Sequence, residues 1–488
     1  MGAVPVLSQG RIIFDYDTDL LGPRNLNTNP LDITGLNGAL FDFQVFNFFK
    51  SGLSSSVTRL RANSDATNNY RDYYMQGANA NPSAFVSDTN DHTNINSGAQ
   101  GYPTIGMTYI NGSAGDERHF STLFSTSTGA SDTRVRVTDG YWKNTADPIT
   151  SLQISKGASQ NHEFHIVIFA VPKNQNQQTW EQVGEPLEWV AESTTKSFTG
   201  IDGDVDGEYE IRWSAAVELG FVFNNDNAAN YGRQRLINGA GSISAGNNTL
   251  SNVPTHGDQV RARIQAESGR DRLVSCDGSK TTQQQQKSAT WWQNTADPIT
   301  SIDCTPSSSA TGKAYLFKRR LPERTADVLP WETVKEINLS NEALDETVNV
   351  SGDDLFLVKI EYLAERDSGV GAVALQINGD TLNTDYDSQY LQGDNSAVTA
   401  LAADNPHMRI AANMNSSNDV NSCELILYPR SGDYRPALSK GWVNEDNIRF
   451  SAHWWLNTAD PITTLRVYDT AGGLATGKLR ISIIPRIQ

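Results

Sequence analysis

The chain has 488 residues, 38% of them hydrophobic and 9% aromatic, with a formal net charge of −17. One core serves at most roughly 250–300 residues, so several domains are expected; the acidic balance speaks against a nucleic-acid or anionic-membrane partner. Three cysteines exclude a disulfide scaffold, and no apolar run nears the roughly 20 residues of a membrane helix.

The N-terminal MGAVPVLSQGR lacks the layout of a secretory signal, and Val6 stands where myristoylation needs Ser or Thr. The expectation is a protein made in the cytoplasm and used unprocessed. FDFQVFNFF (41–49) alternates like a strand, and TRLRANSDATNNYRDYYMQG (58–77) follows it. YWKNTADPIT (141–150) opens on an aromatic pair, Tyr141 and Trp142, and runs into ITSLQI. FHIVIFAVP (164–172) is apolar and strand-length. His162 and His165 flank Glu-Phe at its start, but side chains three apart on a strand face opposite sides and do not readily share a metal. KNQNQQTWEQV (173–183) reads as a polar linker.

Asp202, Asp204, Asp206 and Gly207 match the D-x-D-x-D-G start of a calcium loop. The twelfth position, where a bidentate Glu belongs, is Trp213. Calcium is the one cofactor candidate; the plain alternative is an acidic turn. YEIRWSAAV (209–217) and FVFNNDNAANYGRQRLING (221–239) then repeat the pattern of 41–77. WWQNTADPIT (291–300) repeats the motif, and Cys304 takes the slot of Ile154, a small core position. ERTADVLPWETV (323–334) is a second linker, ending in Trp-Glu-x-Val like the first. No stretch makes a convincing amphipathic helix; SNEALDETV (340–348) is the best candidate and is short. FLVKIEYLA (356–364), VALQINGDTLNTDYDSQYLQG (373–393) and WWLNTADPIT (454–463) complete a third round.

NTADPIT is therefore written three times, beginning at Asn144, Asn294 and Asn457. Those spacings are far too long for solenoid units of roughly 20–50 residues. They mark a tandem of whole domains, placed at 1–174, 175–327 and 328–488. Period-two alternation with Asn, Asp, Ser and Gly breaks predicts an all-β chain: three antiparallel β-sandwich, jelly-roll-like domains. Within the motif, Asn144, Asn294 and Asn457 with Asp147, Asp297 and Asp460 fit a turn. Pro148, Pro298 and Pro461 force the preceding Asp to be extended. A bend is expected at the Thr after the following Ile. Of each aromatic pair, one ring fills its own core and the other faces outward. Trp142, Trp292 and Trp455 stand beside Tyr141, Trp291 and Trp454. The outward rings are expected to pack between domains about a pseudo-threefold axis, or else to lie half-covered by a loop. The turn Asp is the clearest acid repeated in all three copies. It has no partner acid or His at constant spacing, so paired-carboxylate chemistry is not expected and the chain reads as non-enzymatic.

The aromatic pair, polar turn and I-T-S-L/I, followed by a Gly-rich loop such as ATGK (310–313, 475–478) and an apolar strand, resembles domains in structural proteins of tailed-bacteriophage virions. The likeness covers one short segment near the C-terminal end of each copy, and the first copy lacks ATGK. It implies trimer-forming β modules that decorate heads or build tail parts, here fused so that one chain fills a threefold position. The expected function is a capsid decoration or head-spike protein of the virion, with other capsid or tail subunits as partners. The alternative is a tail or surface adhesin that binds host-surface glycans through loops such as 64–74 and 223–232.

Overall fold

The computed structural model describes residues 11–486 apart from short internal segments, the longer ones being 51–56, 113–117, 128–132, 173–179, 254–259, 267–271, 320–330 and 411–419. Both expected domain joints, at 174/175 and 327/328, lie outside the described residues. The chain is all-β.

The first third holds β1 (Arg11–Asp17), one helical turn α1 (Thr18–Leu21), β2 (Leu31–Thr34), β3 (Phe41–Phe49), β4 (Val57–Ala62), β5 (Tyr70–Ala78), β6 (Asn81–Asn90), β7 (Thr93–Ala99), β8 (Thr104–Ile110), β9 (Arg118–Ser127), β10 (Thr133–Trp142), β11 (Ser151–Lys156) and β12 (Phe164–Pro172). The second holds β13 (Trp180–Gln182), β14 (Leu187–Glu192), β15 (Lys196–Thr199), a helical turn α2 (Gly203–Asp206), β16 (Glu208–Ala215), β17 (Leu219–Phe223), β18 (Tyr231–Ile237), β19 (Ala240–Asn247), β20 (Leu250–Val253), β21 (Val260–Gln265), β22 (Arg272–Lys280), β23 (Gln284–Trp292), β24 (Ser301–Pro306) and β25 (Ala310–Arg319). The last holds β26 (Glu332–Ala343), β27 (Asp345–Asn349), β28 (Leu355–Arg366), β29 (Val373–Ile377), β30 (Tyr386–Asp394), β31 (Ala397–Asn405), β32 (Met408–Arg409), β33 (Val420–Leu427), β34 (Arg435–Val443), β35 (Asn447–Trp455), β36 (Thr464–Asp469) and β37 (Leu474–Pro485).

Among the described residues no sheet takes strands from two thirds. The last third has an eight-stranded sheet, β26-β37-β28-β33-β34-β35-β30-β31, and a four-stranded one, β27-β36-β29-β32. Counted from one within the third, the orders are 1-12-3-8-9-10-5-6 and 2-11-4-7. The second third repeats both orders, with β13 and β14 sharing the first slot on β25. The first third repeats them again, but its two sheets are joined where β7 runs parallel to β9 at Ser97↔Thr126.

The best helical candidate, 340–348, is not a helix: that stretch ends β26, turns at buried Leu344 and becomes β27. Its D-E-T-V-N half alternates and pairs with β36, so an available strand partner outweighs a weak helical tendency in so short a segment. The strands after NTADPIT show one burial pattern: Leu152 and Ile154, Ile302 and Cys304, and Leu465 and Val467 point inward. Ile149, Ile299 and Ile462 are also buried, out of phase, because strand geometry starts two residues later.

Each third has its own apolar core between its sheets, containing Trp142, Trp292 or Trp455 respectively. A fourth cluster is shared: Phe46, Phe48, Ile105, Leu123, Val137, Val167 and Phe169 of the first third pack with Phe356, Leu357, Ile426, Tyr428, Leu438, Phe450 and Trp454 of the last. Phe48 and Tyr428 stack there with centroids 3.9 Å apart. The thirds also meet along their inserted strands: β10 lies beside β30, β35 beside β18, and β23 beside β5. In each pair the tenth strand of one third meets the fifth of another, and the three pairs close a cycle. A Cβ at Gly77, which ends M-Q-G in β5, would stand 3.0 Å from the Tyr390 carbonyl oxygen, so the glycine marks a close approach of β5 to β30 of the last third.

Candidate functional site

The motif is one half of a lock, made three times. Its other half is the Asn-x-Asp turn after the fourth strand of each third. Asn63, Asn224 and Asn378 sit there at φ of 51°, 51° and 52°, a left-handed conformation that Asn tolerates better than most residues. Asn63 Oδ1 accepts from Thr150 N (2.7 Å), Thr150 Oγ1 (3.1 Å) and Ser151 N (3.1 Å), while its Nδ2 donates to Pro148 O at 3.0 Å. Asn224 makes the same four bonds to Thr300, Ser301 and Pro298, and Asn378 makes them to Thr463, Thr464 and Pro461. The bend expected at the Thr is thus held by a side chain remote in sequence.

Two residues on, a carboxylate takes the indole N–H of the second aromatic. Trp142 donates to Asp65 at 2.7 Å, Trp292 to Asp226 at 2.7 Å and Trp455 to Asp380 at 2.8 Å. A buried tyrosine closes the strand end: Tyr70 OH accepts from Ala62 N at 2.7 Å, and Tyr231 and Tyr386 do likewise with Phe223 and Ile377. Burial pushes all three phenols above the usual range.

The turn itself is closed by Asn144, which accepts from Ala146 N and Asp147 N and donates to Asp147 Oδ2 at 3.2 Å. Asn294 with Asp297 and Asn457 with Asp460 repeat this, the amide-to-carboxylate bonds being 2.9 and 2.7 Å. A fully buried arginine fixes the turn's backbone from beneath. Arg118 donates to Asp147 O, Arg272 to Asn294 O and Asp297 O, and Arg435 to Asp460 O. Each guanidinium lies over the neighbouring indole, at 5.7, 5.3 and 4.8 Å. Sequence reasoning missed these arginines. The signal was available: in every third an arginine opens the strand before the one that ends in the aromatic pair, and it lies directly across from the second ring.

Of the other ring in each pair, Trp454 is buried in the shared cluster and donates from Nε1 to Pro103 O of the first third at 2.8 Å. Tyr141 is buried too, stacked on His119 of its own third with centroids 5.0 Å apart. The Trp291 side chain lies outside the described residues.

The calcium-loop carboxylates do local work. Asp202 caps α2, accepting from Asp204 N and Val205 N, and Asp206 takes the Tyr209 hydroxyl at 2.7 Å and Lys318 at 3.2 Å. Asp204 is exposed. Among the described residues no three His, Cys, Asp or Glu side chains are grouped to hold a metal ion.

The locks differ in one respect. Burial raises the Asp65 carboxyl, but bonds from Thr67, Trp142 and Asn69 outweigh it and hold the group at about 2. Asp226 is likewise lowered against burial by Asn230, Trp292 and Ala228 N. In the last third the loop is one residue longer, and Asp385 replaces the capping Asn. There burial, with Asp385 and Asp460 nearby, raises Asp380. An open cleft of about 480 Å³ lies at that loop, lined by Asp380, Thr381, Leu382, Thr384, Asp385 and Asn457.

No known protein family and no curated protein matches the chain. Solved structures overlap it weakly. The crystal structure of A. japonicus CB05 covers 79% of this chain, which spans 66% of that one, just under two thirds, at 8% identity and TM-score 0.19. The Sulfolobus turreted icosahedral virus structure covers 94% and 84% at 10% identity and TM-score 0.12. A loop-deletion mutant of OmpT, an outer membrane protein of Vibrio cholerae, covers 82% and 99% at 7% identity and TM-score 0.09. Overlaps this poor carry no argument about fold or function.

Proposed function

We propose that the chain is a non-enzymatic structural protein of a bacteriophage virion, a capsid decoration or head-spike protein, built as three jelly-roll modules about a pseudo-threefold axis. The observation that carries the reading is the strand order common to the three thirds. The orders 1-12-3-8 and 2-11-4-7 are those of an eight-stranded jelly roll, with hairpins 5–6 and 9–10 inserted to lengthen one sheet. The head-to-tail cycle of inserted strands supports a ring, since a repeated heterologous contact closes when its rotation allows. The repeated polar groups hold turns in shape, as a module that works by fitting against neighbours requires. The acidic surface limits association between particles. The test is co-sedimentation with empty capsids: saturable binding at a fixed number of sites supports the reading, and no binding to capsids or tails sinks it.

The cleft of the last third favours a second reading, an adhesin. Carboxylates, threonine hydroxyls and an amide beside the exposed Leu382 suit a polyhydroxylated ligand. A glycan-array signal abolished by Asp385→Ala would support it; a blank array would remove it.

A further inference from the structure

We propose that the seam between the first and last thirds is exchangeable between molecules, so that a second copy of this chain is a partner for it: the first third of each chain docks on the last third of the other. This rests on the seam alone and not on the virion reading.

The seam joins parts of the chain that are remote in sequence. Trp454 reaches Pro103 across 351 residues, Arg430 reaches Asp17 across 413, and Arg486 reaches Asp17 across 469. Its centre is apolar and aromatic, with Phe48 on Tyr428 and Phe356 4.5 Å from the His165 ring. Its rim is ionic: Arg430 bonds Asp17 at 2.9 Å and Asp19 at 2.7 Å, and Arg486 bonds Asp17 at 2.8 Å. The two faces are therefore complementary in shape and in charge, and every chain carries one of each. Each third also has a core of its own, so opening the seam leaves three modules with their interiors intact.

An opened chain exposes both faces, and each finds the same mate within its own molecule or in another. The choice is set by concentration. A tether gives the internal mate an effective concentration on the order of millimolar, so the closed monomer prevails in dilute solution. Where chains are crowded while open, reciprocal exchange makes two complete seams per dimer with no new contact.

The test uses the full chain. Asp19→Cys and Arg430→Cys replace a partly exposed ion pair on the rim. The double variant, treated with a short bis-maleimide, should cross-link within the monomer. The two single variants, mixed, opened in mild denaturant at high concentration and returned to buffer, should give roughly tenfold more mixed cross-linked dimer than the same mixture never opened. The unmodified chain, treated alike, should show a dimer by light scattering that disperses slowly on dilution. No mixed dimer, with the double variant still cross-linking internally and the unmodified chain still monomeric, overturns the proposal. Failure of the internal cross-link overturns it as well, because the seam is then absent.

Discussion

Replacing Asn63 tests the lock at its hinge. The side chain makes four hydrogen bonds, three into Thr150 and Ser151 and one to Pro148. A typical bond contributes about 1 kcal/mol net, and water replaces part of each here because Thr150 is exposed. Asn63→Gly keeps the left-handed backbone and loses the bonds, so it should weaken the lock by ~2–3 kcal/mol. Asn63→Ala adds about 1 kcal/mol for a Cβ at positive φ. A chain of several cores does not unfold in one step, so the readout is local hydrogen exchange by mass spectrometry. Peptides spanning 145–156 should exchange ~30–150-fold faster in Asn63→Gly, and faster still in Asn63→Ala, provided exchange proceeds by local opening. Peptides over 295–306 and 458–469 should not change. Equal exchange in the variant and the unmodified chain would refute the hinge; equal acceleration in all three copies would refute its locality.

At the seam, burial raises the Asp17 carboxyl, but His165, the Asp19 amide, Arg430 and Arg486 together hold it below its ordinary value. A depressed carboxylate stabilises the fold above its unfolded value of about 3.9 and loses that contribution as pH falls through the lower, folded value. Asp17→Asn should therefore ease local opening of the seam by about 1–3 kcal/mol at pH 7, with the deficit shrinking below about pH 4; hydrogen exchange of peptides over 11–21 from pH 3 to 7, corrected for the intrinsic rate at each pH, checks this. Trp454→Phe removes the bond to Pro103 and should speed exchange at 103–110 by roughly fivefold, about 1 kcal/mol, whereas Trp455→Phe should act only within the last third. Asp202→Ala should cost about 1 kcal/mol as a lost cap, and millimolar calcium should leave the melting of both forms unchanged.

The motif could be read from the sequence because its grammar is local. Asn, Asp and Pro close a turn among themselves, and the strand after it alternates visibly. Its partners could not be read so easily. Asn63 and Pro148 are 85 residues apart, and only the triple recurrence of Asn-x-Asp before a Tyr hints that they meet. The arginines beneath the turn were passed over because an Arg at a strand start reads as solvent-facing; here carbonyls and an indole face surround it. The outward aromatics show the limit of pattern reasoning. Alternation says that Tyr141 and Trp454 leave their own sandwich, but His119 beside one and Pro103 above the other are set by tertiary contacts. The apolar seam was hidden for a related reason, since FDFQVFNFF and FHIVIFAVP look like strands buried on both faces whatever covers the second.

Small-angle X-ray scattering of the purified chain in dilute buffer tests the central claim most directly. Three modules closed on one another should scatter as a compact particle with a radius of gyration of about 23 Å. A value of about 32 Å or above, the size of three such modules strung in a line, would contradict the proposed ring and the seam that closes it.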